Sequence, residues 1–468
     1  MTTALPSHTT PEVRSLLADA LLHELSHGLG GPYHVLFPER FDANAAAFRE
    51  VFAEAGVDGR VYYAKKANKA AVYAERAAVA GLGVDVASHG ELREALAAGV
   101  RGEDLVVTGP AKTDALLRVA VLQGALIAVD ALDELDRLIA LARQLGRTAR
   151  VLLRRLPPEQ PHSRFGLDDG ELASALTRCV EAPVDMEGFS FHLSGYDVRQ
   201  RADLAAESVR LCGRARELGL RADRVSVGGG FAVDYVTAED WRRFEESRRA
   251  EHFHAEKSFG GFYPYHSPVA GADALRMILA AAPAGERTSL AALLRAAGVT
   301  LLVEPGRALL DQAGFTVFRV QGVKERDGYA VLTVDGSSLS LSEQWFDSEF
   351  LPDPVLVPAG SGPVADAGPY PACVGAATCL ESDMLTWRKI PFPRRPAVGD
   401  LLVYLNTAGY QMDSNESPFH ELPLPPKVVV EPSASAQPSR ASQLSRASQL
   451  SLSSQSSPFR WRLDRHPL

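Results

Sequence analysis

The sequence predicts an α/β chain of two folded parts, a TIM-type (β/α)8 barrel followed by a C-terminal β-rich domain. Three observations carry that prediction. Eight short apolar runs recur between residues 61 and 303, most of them separated by a stretch of helical spacing, as parallel βα units require. After Asp311 the long helical stretches cease and strand-like runs follow one another. Glycine-rich or charged clusters stand directly after several of the eight runs, where the mouth of a barrel would lie.

Taken in order, Ser15–Leu25 has the apolar spacing of an amphipathic helix, Gly30-Gly31-Pro32 punctuates, and Tyr33–Leu36 reads as a strand. Helical stretches such as Asn44–Glu54 and Ala70–Ala80 are rich in Ala, Glu and Arg. The barrel strands are expected at Val61–Tyr63, Gly83–Val86, Asp104–Val107, Leu126–Val129, Arg150–Leu153, Gly188–Phe191, Arg224–Val227 and Thr300–Val303. Phe315–Val320, Tyr329–Val334 and Asp400–Tyr404 are strands of the second domain. The expected boundaries are 39–312 for the barrel, with an enlarged loop at 239–298, and 313–430 for the β-domain. Residues 431–468 are Ser/Gln-rich, repeat Ser-Arg-Ala-Ser-Gln-Leu in tandem from Ser439 to Leu450, and cannot bury a core, so a disordered tail is expected there. Phe459–Arg462 reads as a stray terminus.

Composition narrows the class. A net charge of −9 argues against nucleic acid or an anionic membrane as partner. No apolar run is long enough to span a bilayer, and the N-terminus lacks the order of a signal peptide. Cys179, Cys212, Cys373 and Cys379 form neither a CxxC pair nor a disulfide-dense pattern, which suits the cytoplasm.

The chemistry sits at the strand ends. The first run closes on Lys65-Lys66-Ala67-Asn68. A lysine at the end of an inner strand is costly unless its charge is used; desolvation lowers its pKa, and a neutral amine is what condensation with an aldehyde requires. The second run leads into Asp85–Leu92, with acids, a serine and a tight turn. Later runs end in His192-Leu193-Ser194-Gly195, in Gly228-Gly229-Gly230-Phe231, whose N–H groups can approach a phosphate, and in Glu304-Pro305-Gly306-Arg307. Separately these are weak signals, since a triple glycine is often just a turn and a lone histidine is usually a core residue. Together they supply what a pyridoxal phosphate site needs: an amine, a ring for the cofactor face, phosphate donors and an acid for the pyridine nitrogen.

The chain resembles the alanine-racemase-fold pyridoxal phosphate decarboxylases, the group of diaminopimelate, ornithine and arginine decarboxylases. Tyr63–Asn68 looks like their YAxKAN motif, and the likeness continues through Gly83–Leu92, Val129–Leu135, Arg164–Leu167, His192, Gly228–Phe231 and Glu304–Arg307. The resemblance makes Lys66, not Lys65, the cofactor-bearing amine. It implies that Glu304 pairs with the pyridine nitrogen and His192 stacks on the ring. Ser194, Gly229, Gly230 and Tyr410 would hold the phosphate, Gly228 and Gly306 would also line the cofactor, Arg307 would hold the phosphate, a substrate carboxylate or both, and Asp85 and Glu91 would be acids near the lysine. It also implies that residues 1–38, a helix and a strand, join the β-domain. Cys373–Asp383 is similar to the family's GPxCESxD segment, which reaches the neighbouring subunit's cofactor. In that likeness Cys379 donates a proton after CO2 leaves, Glu381 or Asp383 meets the substrate, and the protein is a homodimer with shared sites.

Three departures bear on the substrate. Leu380 separates Cys379 from Glu381, where the family has Cys and Glu adjacent. No arginine occurs between Arg326 and Arg388, so the family's clamp for a distal carboxylate is missing. The 239–298 stretch, with His252-Phe253-His254 and Phe259–His266, reads as a lid or pocket loop; two histidines at i, i+2 without a suitably spaced third ligand do not make a metal site. The expected activity is removal of the α-carboxylate of an amino acid or amino-acid conjugate, with an altered substrate-end pocket. A racemase or epimerase on the same fold wants a base on each cofactor face and an arginine at the pyridine nitrogen, against Glu304. A catalytically silent, protein-binding homologue would not retain Lys66, His192, the glycines, Glu304 and Cys379 together.

Overall fold

The structure is a computed structural model, and it describes residues 3–341, 347–360, 369–413, 424–433 and 457–464. Contacts divide the chain into two units. One comprises residues 41–232 and 269–309; the other gathers the residues up to 40, residues 233–268 and those from 310 on.

After a first strand that belongs to the second unit (β1, Tyr33–Leu36), the chain builds the barrel. Its strands are β2 (Gly59–Ala64), β3 (Gly83–Val86), β4 (Leu105–Val107), β5 (Leu126–Val129), β6 (Ala149–Arg154), β7 (Val184–Ser190), β8 (Arg224–Ser226) and β9 (Thr300–Val303). All eight expected runs are therefore strands. Each pairs in parallel with the next, and β9 returns to β2 with Val61 opposite Val303, so no edge is left open. Tyr62, Val106, Leu126, Leu152 and Leu302 fill the interior. Gly83 makes room for one of them, because a Cβ there would lie 2.2 Å from the Tyr62 ring.

The opposite end of the barrel from the strand C-termini carries its own charge cluster. Glu187 is wholly buried, receives Arg150 Nε at 2.6 Å, and has Arg224 and Arg221 at 2.8 and 3.5 Å. A buried carboxylate ringed by three guanidinium groups ties β6, β7 and β8 together and serves stability.

The stretch expected as one enlarged loop at 239–298 is corrected on two counts. Gly271–Ala280 and Leu290–Ala297 are helices that bury Leu275, Ile278 and Leu279, and Leu290, Ala291 and Leu294, and both pack on the helix Val198–Glu217 of the barrel unit. Residues 233–268, with the helix Ala238–Ser247, cluster with the other unit. Apolar spacing in 271–297 marked the helices, and the aromatic density just before it masked them.

The second unit holds β10 (Gly314–Arg326), β11 (Tyr329–Val334), β12 (Val355–Val357), β13 (Tyr370–Gly375), β14 (Met384–Phe392), β15 (Leu401–Tyr404), β16 (Lys427–Pro432) and β17 (Phe459–Leu463). The main path runs β14-β13-β11-β10-β1-β16-β17, with β15 pairing β10 and β12. β1 lies antiparallel to β10 and parallel to β16, so the N-terminal strand is central to this sheet. The single helix expected over Ser15–Leu25 is two, Pro11–Leu17 and Leu21–Leu29, because the Asp19 carboxylate accepts the Leu21 N–H at 2.8 Å and restarts the helix there. The tail is also corrected in its described part. Phe459–Leu463 pairs antiparallel with β16, and Phe459 and Trp461 pack against the core formed by Leu22, Tyr33, Phe315, Val403 and Val428. The Ser-Arg-Ala-Ser-Gln-Leu repeat lies outside the described residues.

Candidate active site

The C-terminal ends of the barrel strands bring the barrel's share of the expected residues together. Beyond β2 the chain makes one tight turn, Lys65–Ala67. Lys65 is buried and its Nζ lies 3.4 Å from the Lys69 carbonyl, whereas Lys66 is exposed. The desolvation expected of the reactive lysine is thus a property of its neighbour. The Ala64 N–H donates to the Pro305 carbonyl at 3.3 Å, which fixes the Lys66 turn to the loop that carries Glu304.

One carboxylate, Asp85, feels this amine, and a second, Glu304, bears on Asp85. Asp85 ends β3, is buried, and accepts a hydrogen bond from Thr108 Oγ1 at 2.7 Å. Burial first, then the charge of Glu304, push its pKa up to about 7, against the pull of Lys66, the Thr108 hydrogen bond and Arg154. Glu304 is held by Ser226 Oγ, which donates to its Oε1 at 2.6 Å, and its own N–H donates to the Gly228 carbonyl at 2.9 Å. Glu91 has a different duty. Its Oε2 accepts the Ala87 N–H at 2.7 Å while Ser88 Oγ accepts the Glu91 N–H, a reciprocal cap on the helix His89–Ala97.

Past β8 the chain turns at Gly228 (φ 67°) and Gly230 (φ 81°), both in the region glycine alone enters cheaply. Space demands glycine as well: a Cβ would lie 2.7 Å from His192 Nδ1 at Gly228, 2.9 Å from the Glu304 carbonyl at Gly229, and 1.9 Å from Arg201 Nη2 at Gly230. The Gly229 N–H donates to His192 Nδ1 at 3.4 Å. Burial, then Lys66, Arg154 and Arg201, push the pKa of His192 down to about 3, so the ring is a neutral, flat surface at this end of the barrel. Ser194 is exposed on the loop after β7, and Gly306 and Arg307 open the turn after β9.

Four contributors escaped the sequence reading: Ser226, Thr108, Arg154 and Arg201. Arg154 pairs with Asp130 at 2.9 Å, packs over the Phe165 ring at 4.4 Å, and bears electrostatically on both Asp85 and His192. Ser226 carried a usable signal, a hydroxyl inside an inner strand of apolar neighbours. Arg201 carried none, since a helical arginine is ordinarily a surface residue.

In the other unit, the segment after β13 is organised by Asp383. Its Oδ1 accepts the Ser338 N–H at 2.8 Å and its Oδ2 accepts Thr378 Oγ1 at 2.6 Å. Cys379 and Glu381 of the same segment are exposed. Tyr410 follows β15 at φ 76°, a costly conformation for a tyrosine. Arg388 is fully buried, pairs with Asp353, and donates to the carbonyls of Thr3 and Leu351. His254, one of the two histidines considered for metal, has its Nδ1 2.8 Å from the Tyr329 hydroxyl. Among the described residues no group of three or more His, Cys, Asp or Glu could hold a metal ion, and no helix is long and apolar enough to cross a membrane.

The barrel residues fit pyridoxal phosphate. There is an exposed amine, a carboxylate pinned by a hydroxyl, a neutral imidazole, and a glycine turn that no side chain could enter. Comparison with known proteins agrees. Residues 39–263 match the pyridoxal-dependent decarboxylase, pyridoxal binding domain family. An uncharacterized Sinorhizobium fredii protein, y4yA, is 39% identical over 90% of this chain and 93% of its own. Diaminopimelate decarboxylase of Actinosynnema pretiosum is 29% identical over 84% of this chain and 83% of its own. Among solved structures, diaminopimelate decarboxylase from M. jannaschii in complex with L-lysine shares the fold with a TM-score of 0.69 at 21% identity, covering 87% of this chain and 89% of that one. The barrel with its lysine, glycine turn and pinned glutamate, matched along the chain to these relatives, makes this protein a member of the pyridoxal-dependent decarboxylase family, a carboxy-lyase that works with pyridoxal 5'-phosphate.

Proposed function

We propose that the enzyme removes the α-carboxylate of an amino acid or amino-acid conjugate whose distal end differs from that of diaminopimelate. The carrying observation is the Ser226–Glu304 pair at the C-terminal end of the barrel, an acid where a racemase would need an arginine. In this reading Lys66 holds the cofactor, Glu304 keeps a proton on the pyridine nitrogen, and His192 lies along the ring. Ser194, Gly229, Gly230 and Tyr410 take the phosphate, Gly228 and Gly306 line the cofactor, and Arg307 takes the phosphate, the substrate carboxylate or both. The bound cofactor supplies an electron sink for the pair left when CO2 departs. Asp85 and Glu91 stand as acids beside the lysine, Glu91 also capping its helix, and the negative charge of Glu304 raises the pKa of Asp85.

The altered distal end is supported by the arginines. None lies between Arg326 and Arg388, and Arg388 is committed to Asp353 and two carbonyls. Because both oxygens of Asp383 are engaged, one by the Ser338 N–H and one by the Thr378 hydroxyl, Glu381 is the acid proposed to meet the substrate, and Cys379 the proton donor, at a site shared between two copies of the chain. We place the enzyme in the cytoplasm, on the strength of its reduced cysteines and charge.

The test is CO2 release from a panel of D- and L-amino acids by the wild type and Lys66→Ala. Release from one substrate, lowered on the order of 10³-fold or more in the variant, is the expected result. Racemisation without CO2 from every substrate would overturn the reading.

A further inference from the structure

Arg201 is a buried cation that the reading above does not use. It lies in the first turn of the helix Val198–Glu217 and is 1% exposed. Nη2 donates to the carbonyls of Leu193 and Gly195 at 3.0 and 2.7 Å, Nη1 donates to the Asp197 carbonyl at 3.2 Å, and Nε is buried with no partner. Its acceptors are thus neutral carbonyls. Asp197 bears on it electrostatically, and the Asp197 carboxylate is occupied in accepting the Gln200 N–H at the helix start. The contrast within the same unit is sharp, since Glu187 has three arginines and Arg201, among the described residues, has no carboxylate in an ion pair.

A buried guanidinium without a counter-charge is costly, and folds keep one where something anionic arrives to balance it. Its location says where. Arg201 wedges between the 193–197 loop and the glycine turn, and a Cβ on Gly230 would meet Nη2 at 1.9 Å and the Gly195 carbonyl at 3.2 Å. We propose that Arg201 is a positioning residue for the cofactor phosphate, holding the Ser194–Gly195 loop and the Gly229–Gly230 turn as one cup and supplying the positive charge beneath it. The inference rests on the cofactor assignment above, and deepens it. The phosphate dianion is the counter-charge; carbonyls oriented onto the guanidinium leave neighbouring N–H groups turned the other way, towards the anion.

The test compares pyridoxal phosphate with pyridoxal, which lacks the phosphate, by absorbance titration of the apo-protein. Arg201→Met should weaken pyridoxal phosphate binding by about 10- to 100-fold and leave pyridoxal within about 3-fold of wild type. Arg201→Lys, which keeps the charge and loses the fork, should fall between. Thermal stabilisation of the apo-protein by inorganic phosphate should follow the same order and needs no activity. If Arg201→Met does not fold, the lysine variant and wild type still give the comparison. Equal weakening of both ligands, an unchanged affinity for pyridoxal phosphate, or a lysine variant no better than methionine would each overturn the proposal. Wild type that binds no pyridoxal phosphate would sink the cofactor assignment instead, while Arg201-dependent stabilisation by inorganic phosphate would still uphold the anion role.

Discussion

The barrel mouth and the Cys379–Asp383 segment solve opposite problems. At the mouth, buried charges are left partly unbalanced: Asp85 is pushed up to about 7 beside Glu304, His192 is held neutral, and Arg201 has only carbonyls. In the Cys379–Asp383 segment the one buried acid, Asp383, is satisfied by Ser338 and Thr378, and the reactive types, Cys379 and Glu381, are exposed. The mouth is built for a ligand it must balance electrostatically, and so its residues are constrained together. The segment instead holds one satisfied acid and presents its reactive types to solvent.

That contrast can be broken most forcefully at Glu304. Glu304→Gln keeps the size and can still accept from Ser226, but cannot hold a charge against the pyridine nitrogen. CO2 release should fall by about 10²- to 10³-fold while the visible band of lysine-bound cofactor persists. A loss below about 3-fold would mean that the mouth does not depend on its acid.

Asp85 probes the cost of the mouth. Its folded pKa is raised from 3.8 to about 7, so the folded chain keeps a proton that the unfolded chain releases. Its contribution is therefore fully present below pH 3.8 and lost as the pH rises to about 7. In the apo-protein at pH 8, Asp85→Asn should be more stable than wild type by about 2 kcal/mol, and the difference should vanish towards pH 4. Urea unfolding at the two pH values measures it; a variant less stable at pH 8 would show that the charge is already balanced without cofactor.

The smallest effects separate the two acids of the segment. Asp383→Asn should lower stability by about 1 kcal/mol, since its hydrogen bonds weaken without vanishing. Glu381→Gln should leave stability unchanged and raise KM about 10-fold. The reverse pattern would exchange their roles.

How far the site could be read from sequence follows the same division. The barrel was legible because β2 to β9 are short apolar runs, most of them bounded by helices, and because Lys66, Asp85, His192, the glycines and Glu304 each stand at or just beyond the C-terminal end of a strand. Sequence could not say that Ser226 meets Glu304 or Thr108 meets Asp85, as these pairs depend on the register between neighbouring strands, which the separate apolar runs do not reveal. Arg201 was invisible for another reason: burial of a helical arginine depends on what the neighbouring loops leave open. In the second unit, short strands such as Val355–Val357 and the pairing of Phe459–Leu463 were missed where composition outweighed local pattern.

That last pairing has a consequence for association. β16 has β1 on one side and β17 on the other, so its N–H and C=O rows are both spoken for. Because β17 belongs to the same chain as β16, it meets that row as an intramolecular partner, ahead of foreign strands that must arrive from solution. Proximity thus gives the β16 row to a strand of its own molecule, and the edge of the sheet passes outward to β17.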